Sequence, residues 1–315
     1  MLFLDKDAVS LPAGAGSVRA WYQTVECLED WEKNLNLGDA FIKTSAKSEC
    51  ARARFTLGLL CLHNFQYDLA MEFFEAAESE EQSSSGRSYP MAMWGAAMAT
   101  TQILWSTSNC KKGKEYLEKI PKEHKWIFPQ EQAFIETGFA LYPKDLKCDK
   151  DNTKTREKRF MKAMGQVLEK YPKETEPALF YGVSKAAVSG HNDMSDSEKN
   201  KQMKDARSTL ENLYKKHPTH SGLIHYLNHM FDTPELYLKG NEKFLNSQVN
   251  PTDQKGHAAA LGIKAATEYL QVAPSSCHGL HMPSHVFMRL GDWEMSLKSN
   301  LLSIKVNYKM IIINH

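Results

Sequence analysis

Ala51-Arg52-Ala53-Arg54-Phe55-Thr56-Leu57-Gly58-Leu59-Leu60-Cys61-Leu62-His63-Asn64-Phe65-Gln66-Tyr67-Asp68-Leu69-Ala70-Met71-Glu72-Phe73-Phe74-Glu75-Ala76-Ala77 is the stretch that decides the fold class. Leu57, Leu60, Cys61 and Phe65 recur at three- and four-residue steps, the period of a helix with one buried face. Small Gly58 and Ala70 let two antiparallel helices approach closely, while Leu57 and Phe74 fill the seam between them. The same period returns in Phe160, Met164, Val167 and Leu168. Helices are predicted over 17–33, 51–79, 90–106, 112–119, 129–142, 155–171, 175–188, 201–216, 221–231, 256–272 and 276–308. Polar breaks separate them: Glu81 to Gly86 is a Ser-rich loop, Pro143 to Thr155 a charged one, and His191 to Asp196 ends in an N-cap. The class is all-α. One helix pair buries too little by itself, so stacked neighbours must supply the core.

The chain's 315 residues suffice for two ordinary domains or one elongated repeat array. Apolar content of 42% and charge of 24% exclude global disorder. Thirty-nine basic against 38 acidic side chains leave a net charge of +1, which argues for no nucleic-acid partner and no membrane surface. No apolar run nears the roughly 18 residues of a membrane span, and the opening Met1-Leu2-Phe3-Leu4-Asp5-Lys6-Asp7 turns charged too early for a signal peptide. Six scattered cysteines without a C-x-x-C pair read as reduced thiols in a cytoplasmic protein.

An all-helical chain of this length calls for a search for repeats. Leu57-Gly58, Cys61, Ala70, Phe74 and Ala77 follow the spacing L-G-x2-Y…A-x3-F, with Cys61 in the Tyr place. Trp94-Gly95 with Met98, Tyr181-Gly182 and Gly291-Asp292-Trp293 are partial copies, and Pro218 and Pro274 stand at the closing position. Beyond the repeat, the chain carries Leu62-His63-Asn64-Phe65-Gln66-Tyr67-Asp68-Leu69-Ala70, Met91 to Met98, Glu131 to Glu136 and Phe180-Tyr181. Then come His225-Tyr226-Leu227-Asn228-His229 and His278-Gly279-Leu280-His281-Met282-Pro283-Ser284-His285-Val286-Phe287. In these segments and their order it resembles a largely bacterial tetratricopeptide-repeat family, over about residues 51 to 300. The resemblance implies a right-handed helical solenoid of stacked antiparallel pairs; no settled activity comes with it. The expected layout is a helical lead-in at 1–50, the array at 51–308 and a tail at 309–315. Gln102 stands where the family has a His, and about twenty residues from Thr233 to Thr252 look inserted. The apolar end, Leu297 to Ile313, lacks a capping helix. It reads as a truncated array or one that pairs end to end with another copy.

The histidines carry the chemistry. Eight of twelve fall between His217 and His285. Chance predicts about half an i,i+4 His pair in such a chain; two occur, His225/His229 and His281/His285. On a helix each pair shares one face and can offer two imidazoles to one ion. Units begun at Ser221 and Cys277, each just after its closing Pro, put both pairs at fifth and ninth place. In tetratricopeptide proteins those places face the concave groove, so four imidazoles are expected to converge there. His63, His278 and Asp232 are alternates or orienting partners.

Three readings compete for that patch. A divalent transition metal, zinc favoured, would be held by neutral imidazoles, and an open coordination position would make a metal-dependent hydrolase or lyase. Without metal, the imidazoles would bind an anionic small molecule or a peptide carboxylate and act as general acid or base. In the third, buried histidines satisfy one another in a pure protein-interaction scaffold. Pro283 either kinks a helix between His281 and His285 or starts a new one. Gly14-Ala15-Gly16 lacks the Lys-Ser/Thr of a phosphate loop, and Ser284 lacks a nucleophile elbow. Trp94, Trp105, Phe180, Tyr181 and Trp293 read as interhelical packing, and His220 and His257 as exposed or capping residues.

Overall fold

The computed structural model describes residues 17–191, 193–232 and 258–313. The insertion expected at 233–252, His257, Gly14-Ala15-Gly16 and the final His315 lie outside the described residues. Within them the protein is all-α, with helices packed on their sequence neighbours as a helical solenoid requires. The exception is a small antiparallel ribbon, Thr101–Gln102 paired with Thr107–Ser108. The chain forms two compact units. The first comprises Met1–Asn34 with Asp39–Thr209, the second Leu35–Gly38 with Leu210–His315.

In the first unit, Glu49–His63 and Tyr67–Ser85 fold back on each other through a turn in which Phe65 takes φ 57°. Ser48 caps the first of these helices, its hydroxyl accepting from the Ala51 amide. The Phe74 ring is clasped between two glycines. A Cβ at Gly58 would lie 2.8 Å from it, and one at Gly95, on the Pro90–Met98 helix, 2.5 Å. Both distances are shorter than real contacts, so the ring fits only because both positions lack a side chain. Leu57 and Phe74 are fully buried, and each contributes about 1.5–3 kcal/mol by leaving water. Trp94, also fully buried, donates to Thr137 Oγ1 (3.2 Å) and meets Phe134 and Phe180 edge-on at 5.2 and 5.6 Å. It thereby ties Pro129–Leu141 and Thr175–Ser189 to Pro90–Met98. Trp105 and Trp293 are instead exposed.

Several expected boundaries move. The 81–86 loop is helical through Ser85, because Ser83, Ser84 and Ser85 turn their hydroxyls onto the carbonyls of Ser79, Glu80 and Glu81 and leave no polar group stranded. Gly86, at φ 70°, ends the helix. The 90–106 helix stops at Met98, and the ribbon follows. The 17–33 stretch forms two short helices, Val18–Tyr22 and Asp30–Asn34. Ser195 caps Asp196–Tyr214 through a reciprocal exchange with Glu198.

The expectation of six reduced cysteines is corrected. Cys27–Cys50 and Cys110–Cys148 are disulfides, with Cα atoms 6.1 and 5.4 Å apart, inside the range such a bridge needs. The partners lie 23 and 38 residues apart in sequence, so only folding brings them together. Cys61 and Cys277 are thiols, and burial pushes both up. Since disulfides persist in oxidising compartments, the cytoplasmic expectation loses the observation on which it rested. No helix among the described residues is long and apolar enough to cross a membrane.

In the second unit, Ser221–Phe231 packs on Ala258–Val272, where Gly262 admits Phe231: a Cβ there would sit 2.7 Å from it. Ala266, Val286, Phe287 and Leu290 form the core against which Leu270 and Met295 pack. The helix Trp293–Ile313 is bonded to the chain before it by Ser303, which donates to the Cys277 carbonyl at 2.7 Å, and by Ser299, which donates to that of Leu280. Its other face leaves Trp293, Leu297, Leu301, Ile304 and Tyr308 exposed.

Candidate metal centre

The site is built on three short helices of the second unit. Ser221–Phe231 starts at the residue where the repeat phase places it and carries His225 and His229 one turn apart. Their Nε2 atoms are 3.1 Å apart. His225 is fully buried, its ring against Tyr226 and Tyr269 at 5.5 Å each. Cys277–His281 also starts at the expected residue, capped by Ser276, whose hydroxyl accepts from the Gly279 amide at 2.8 Å. A Cβ at Gly279 would meet Ser276 and Tyr269 at 3.0 Å, so the glycine allows this helix to settle close to Tyr269. His278 thereby comes to 4.9 Å from the His225 ring and 6.0 Å from that of His229.

Pro283 starts a new helix, Pro283–Arg289, so His281 and His285 do not share one. Met282 between them nevertheless keeps right-handed helical angles (φ −53°, ψ −39°). The two rings therefore stay on one side, with Nε2 atoms 2.9 Å apart. The His278 and His281 rings are 6.2 Å apart. Five imidazoles thus gather in one cluster: His225, His229 and His278 form a triangle, with His281 and then His285 next to His278.

His281 and His285 have defined partners. His281 Nδ1 lies 2.7 Å from Asn300 Oδ1, and the Asn300 amide is oriented by its NH2, which donates to the Ser296 carbonyl at 3.0 Å. His285 Nδ1 lies 2.9 Å from Asp232 Oδ2, and Arg289 Nε donates to Asp232 Oδ1 at 2.9 Å. Asp232 follows the Ser221–Phe231 helix directly, so its carboxylate joins the two halves of the site. The hydrogen bond from His285, together with Arg289, pulls that carboxyl down to about 2. Burial, then the neighbouring His278, pushes His229 down to about 3, and burial, then His281 and His285, pushes His278 down to about 4. Both rings are neutral near pH 7, the form that binds a metal.

His225, His229 and His278 offer one ring nitrogen each, all within 4.8 Å of one another. A tetrahedral zinc with Zn–N of about 2.0–2.1 Å sets nitrogens roughly 3.3 Å apart. The His225–His229 separation already meets that, and a His278 nitrogen lies within 4.8 Å of both. The four histidines singled out in the sequence therefore lie in one cluster, and His278, named as an alternate, is the link between the two pairs. Asp232 holds His285. His63 belongs to the first unit, fully buried, with Nε2 2.9 Å from Glu176 Oε2 and its ring against Phe180 at 5.3 Å. His220, expected to be exposed or capping, is buried at the N-cap position. Asn300 and Arg289 had no signal in the sequence, because neither lies at helical spacing from the residues it serves.

These helices and this cluster define an all-α protein with a polyhistidine centre. No protein-family model and no curated protein matches the chain.

Proposed function

We propose that the second unit binds a divalent transition metal, zinc foremost, through His225, His229 and His278, within an array of tetratricopeptide type. The single observation that carries this reading is the convergence of three ring nitrogens within 4.8 Å in a setting that keeps at least two of the rings neutral. Imidazole donors suit zinc, copper, nickel and cobalt rather than magnesium or calcium. Three protein nitrogens leave a fourth position for a small molecule or peptide carboxylate, and the partly exposed His285 marks the side from which it would enter. A hydrolase or lyase would use that same open position to activate water. The two disulfides favour an oxidising compartment over the cytoplasm. The exposed stripe from Trp293 to Tyr308 fits contact with a second copy of the chain.

Metal analysis of the full chain, purified without chelators, tests the reading. About one zinc or more per chain, reduced by His278→Gln, is expected. A metal-free protein that fails to take up zinc on dialysis would refute it and leave a scaffold.

A further inference from the structure

The first unit carries a cavity of about 630 Å³ that involves none of the clustered histidines. One wall runs from Ser106 to Lys111, the end of the ribbon and the start of the helix Cys110–Glu118. The other comprises Cys148 to Lys150 with Thr153 and Arg156 of the helix Thr153–Lys170. The Cys110–Cys148 disulfide joins the two walls. Arg156 is the group that calls for explanation. It is only 3% exposed, and a guanidinium does not shed its proton in a protein. Its Nη2 donates to Thr153 Oγ1 at 2.9 Å and to Ser108 Oγ at 3.3 Å, both hydroxyls of residues that line the cavity. Its Nε and Nη1 have no hydrogen-bond partner. None of its nitrogens meets a carboxylate among the described residues. The adjacent Glu157 is engaged instead by Ser106 Oγ at 2.9 Å and His191 Nε2 at 2.6 Å. A buried cation without a counter-charge is costly, so Arg156 calls for an anion from outside the chain.

We propose that this cavity binds a phosphate-type oxyanion. The rest of its lining fits that ligand. Two helices, nine and 18 residues long, begin at the cavity, and the positive end of a helix favours an anion. Asn109 Oδ1 accepts from the Lys112 amide at 3.2 Å, which leaves the Cys110 and Lys111 amides at that helix end to a ligand. The Ser108 hydroxyl accepts from Arg156 and so keeps its own hydrogen to donate. Lys111 and Lys150 line the cavity and are exposed. With Arg156 they set three cations against one carboxylate in the lining, that of Asp149. Asp149 Oδ1 is already occupied, accepting from the Asn152 amide at 3.0 Å and its side-chain NH2 at 2.8 Å. Arg156 thus supplies a fixed charge and the lysines supply ammonium groups that can close on the ligand. The volume is that of a small-molecule pocket, which accommodates free phosphate or the phosphoryl end of a small ester.

Equilibrium dialysis of the full chain against radiolabelled inorganic phosphate tests this. The protein is first freed of metal and the chelator removed, so that an ion on the histidines adds no phosphate site and the two proposals stand or fall separately. Wild type is expected to bind one phosphate per chain, and Arg156→Gln to lose it. Because that buried position can affect folding, the second variant is Lys111→Gln/Lys150→Gln, both exposed, which should bind about 5–30-fold more weakly. Lys170→Gln/Lys173→Gln removes as much charge at the far end of the Thr153–Lys170 helix, about 20 Å from Arg156, and should bind as wild type does. Displacement of the label by glycerol 3-phosphate as well as by free phosphate assigns the site to phosphate esters; displacement by free phosphate alone assigns it to the inorganic ion. Either result supports the oxyanion site. Wild type that binds no phosphate at millimolar concentration would overturn it. So would a Lys111→Gln/Lys150→Gln variant that binds no more weakly than the Lys170→Gln/Lys173→Gln control.

Discussion

The depressed histidines make the metal-free protein acid-sensitive by an amount that can be worked out. In the unfolded chain His229 and His278 titrate near 6.5; in the folded unit they are held at about 3 and about 4. A folded pKa below the unfolded one means the unfolded state binds more protons in between. Stability is therefore complete above about pH 6.5 and falls as pH drops from there toward the folded values. From about pH 7 to pH 5 each ring costs about 2 kcal/mol. His278 is itself part of what depresses His229, so the pair together costs less than the sum, about 3 kcal/mol. Equilibrium urea unfolding of the full chain, with chelator present, measures this at the two pH values. The His229→Gln/His278→Gln variant serves as reference, because it removes both protonation steps while other groups titrate as before. Wild type should lose about 3 kcal/mol more than the variant over that interval. Equal losses would refute the claim that these rings are buried neutral, and with it the readiness of the three-histidine site for metal.

Three other perturbations have defined outcomes. Gly95→Ala places a methyl group 2.5 Å from the Phe74 ring; overpacking should cost about 1–3 kcal/mol in urea unfolding despite the better helix propensity, and Phe74→Leu in the same chain should recover part of it. Ser276→Ala removes the cap that accepts from the Gly279 amide. It should lower stability by about 1 kcal/mol and weaken zinc binding, since the helix it starts carries His278 and His281; unchanged zinc affinity would separate the cap from the site. Reduction of the Cys110–Cys148 bridge, which joins residues 38 apart, should cost about 2–4 kcal/mol, and thiol labelling with mass spectrometry of the unreduced chain, unfolded in urea to expose the buried Cys61, should modify only Cys61 and Cys277.

The all-α class, the small residues that admit Phe74 to a helix–helix seam, and the shared face of His225/His229 were all readable along the chain. Each depends on helical spacing or on a small residue within a short repeat unit, whereas His281 and His285 meet across a helix break that the sequence left open. Even the starts at Ser221 and Cys277 followed from position after a proline. What tertiary structure decided has a different physical origin. His278 becomes the link of the cluster because Gly279 lets its helix approach Tyr269. Asp232 and Asn300 hold the Nδ1 atoms of His285 and His281, although they lie 53 and 19 residues from the histidines they hold. The disulfides arise in the same way. Local pattern dictates which side chains share a face; only packing between distant segments dictates what that face meets, and so where protons and cations can sit.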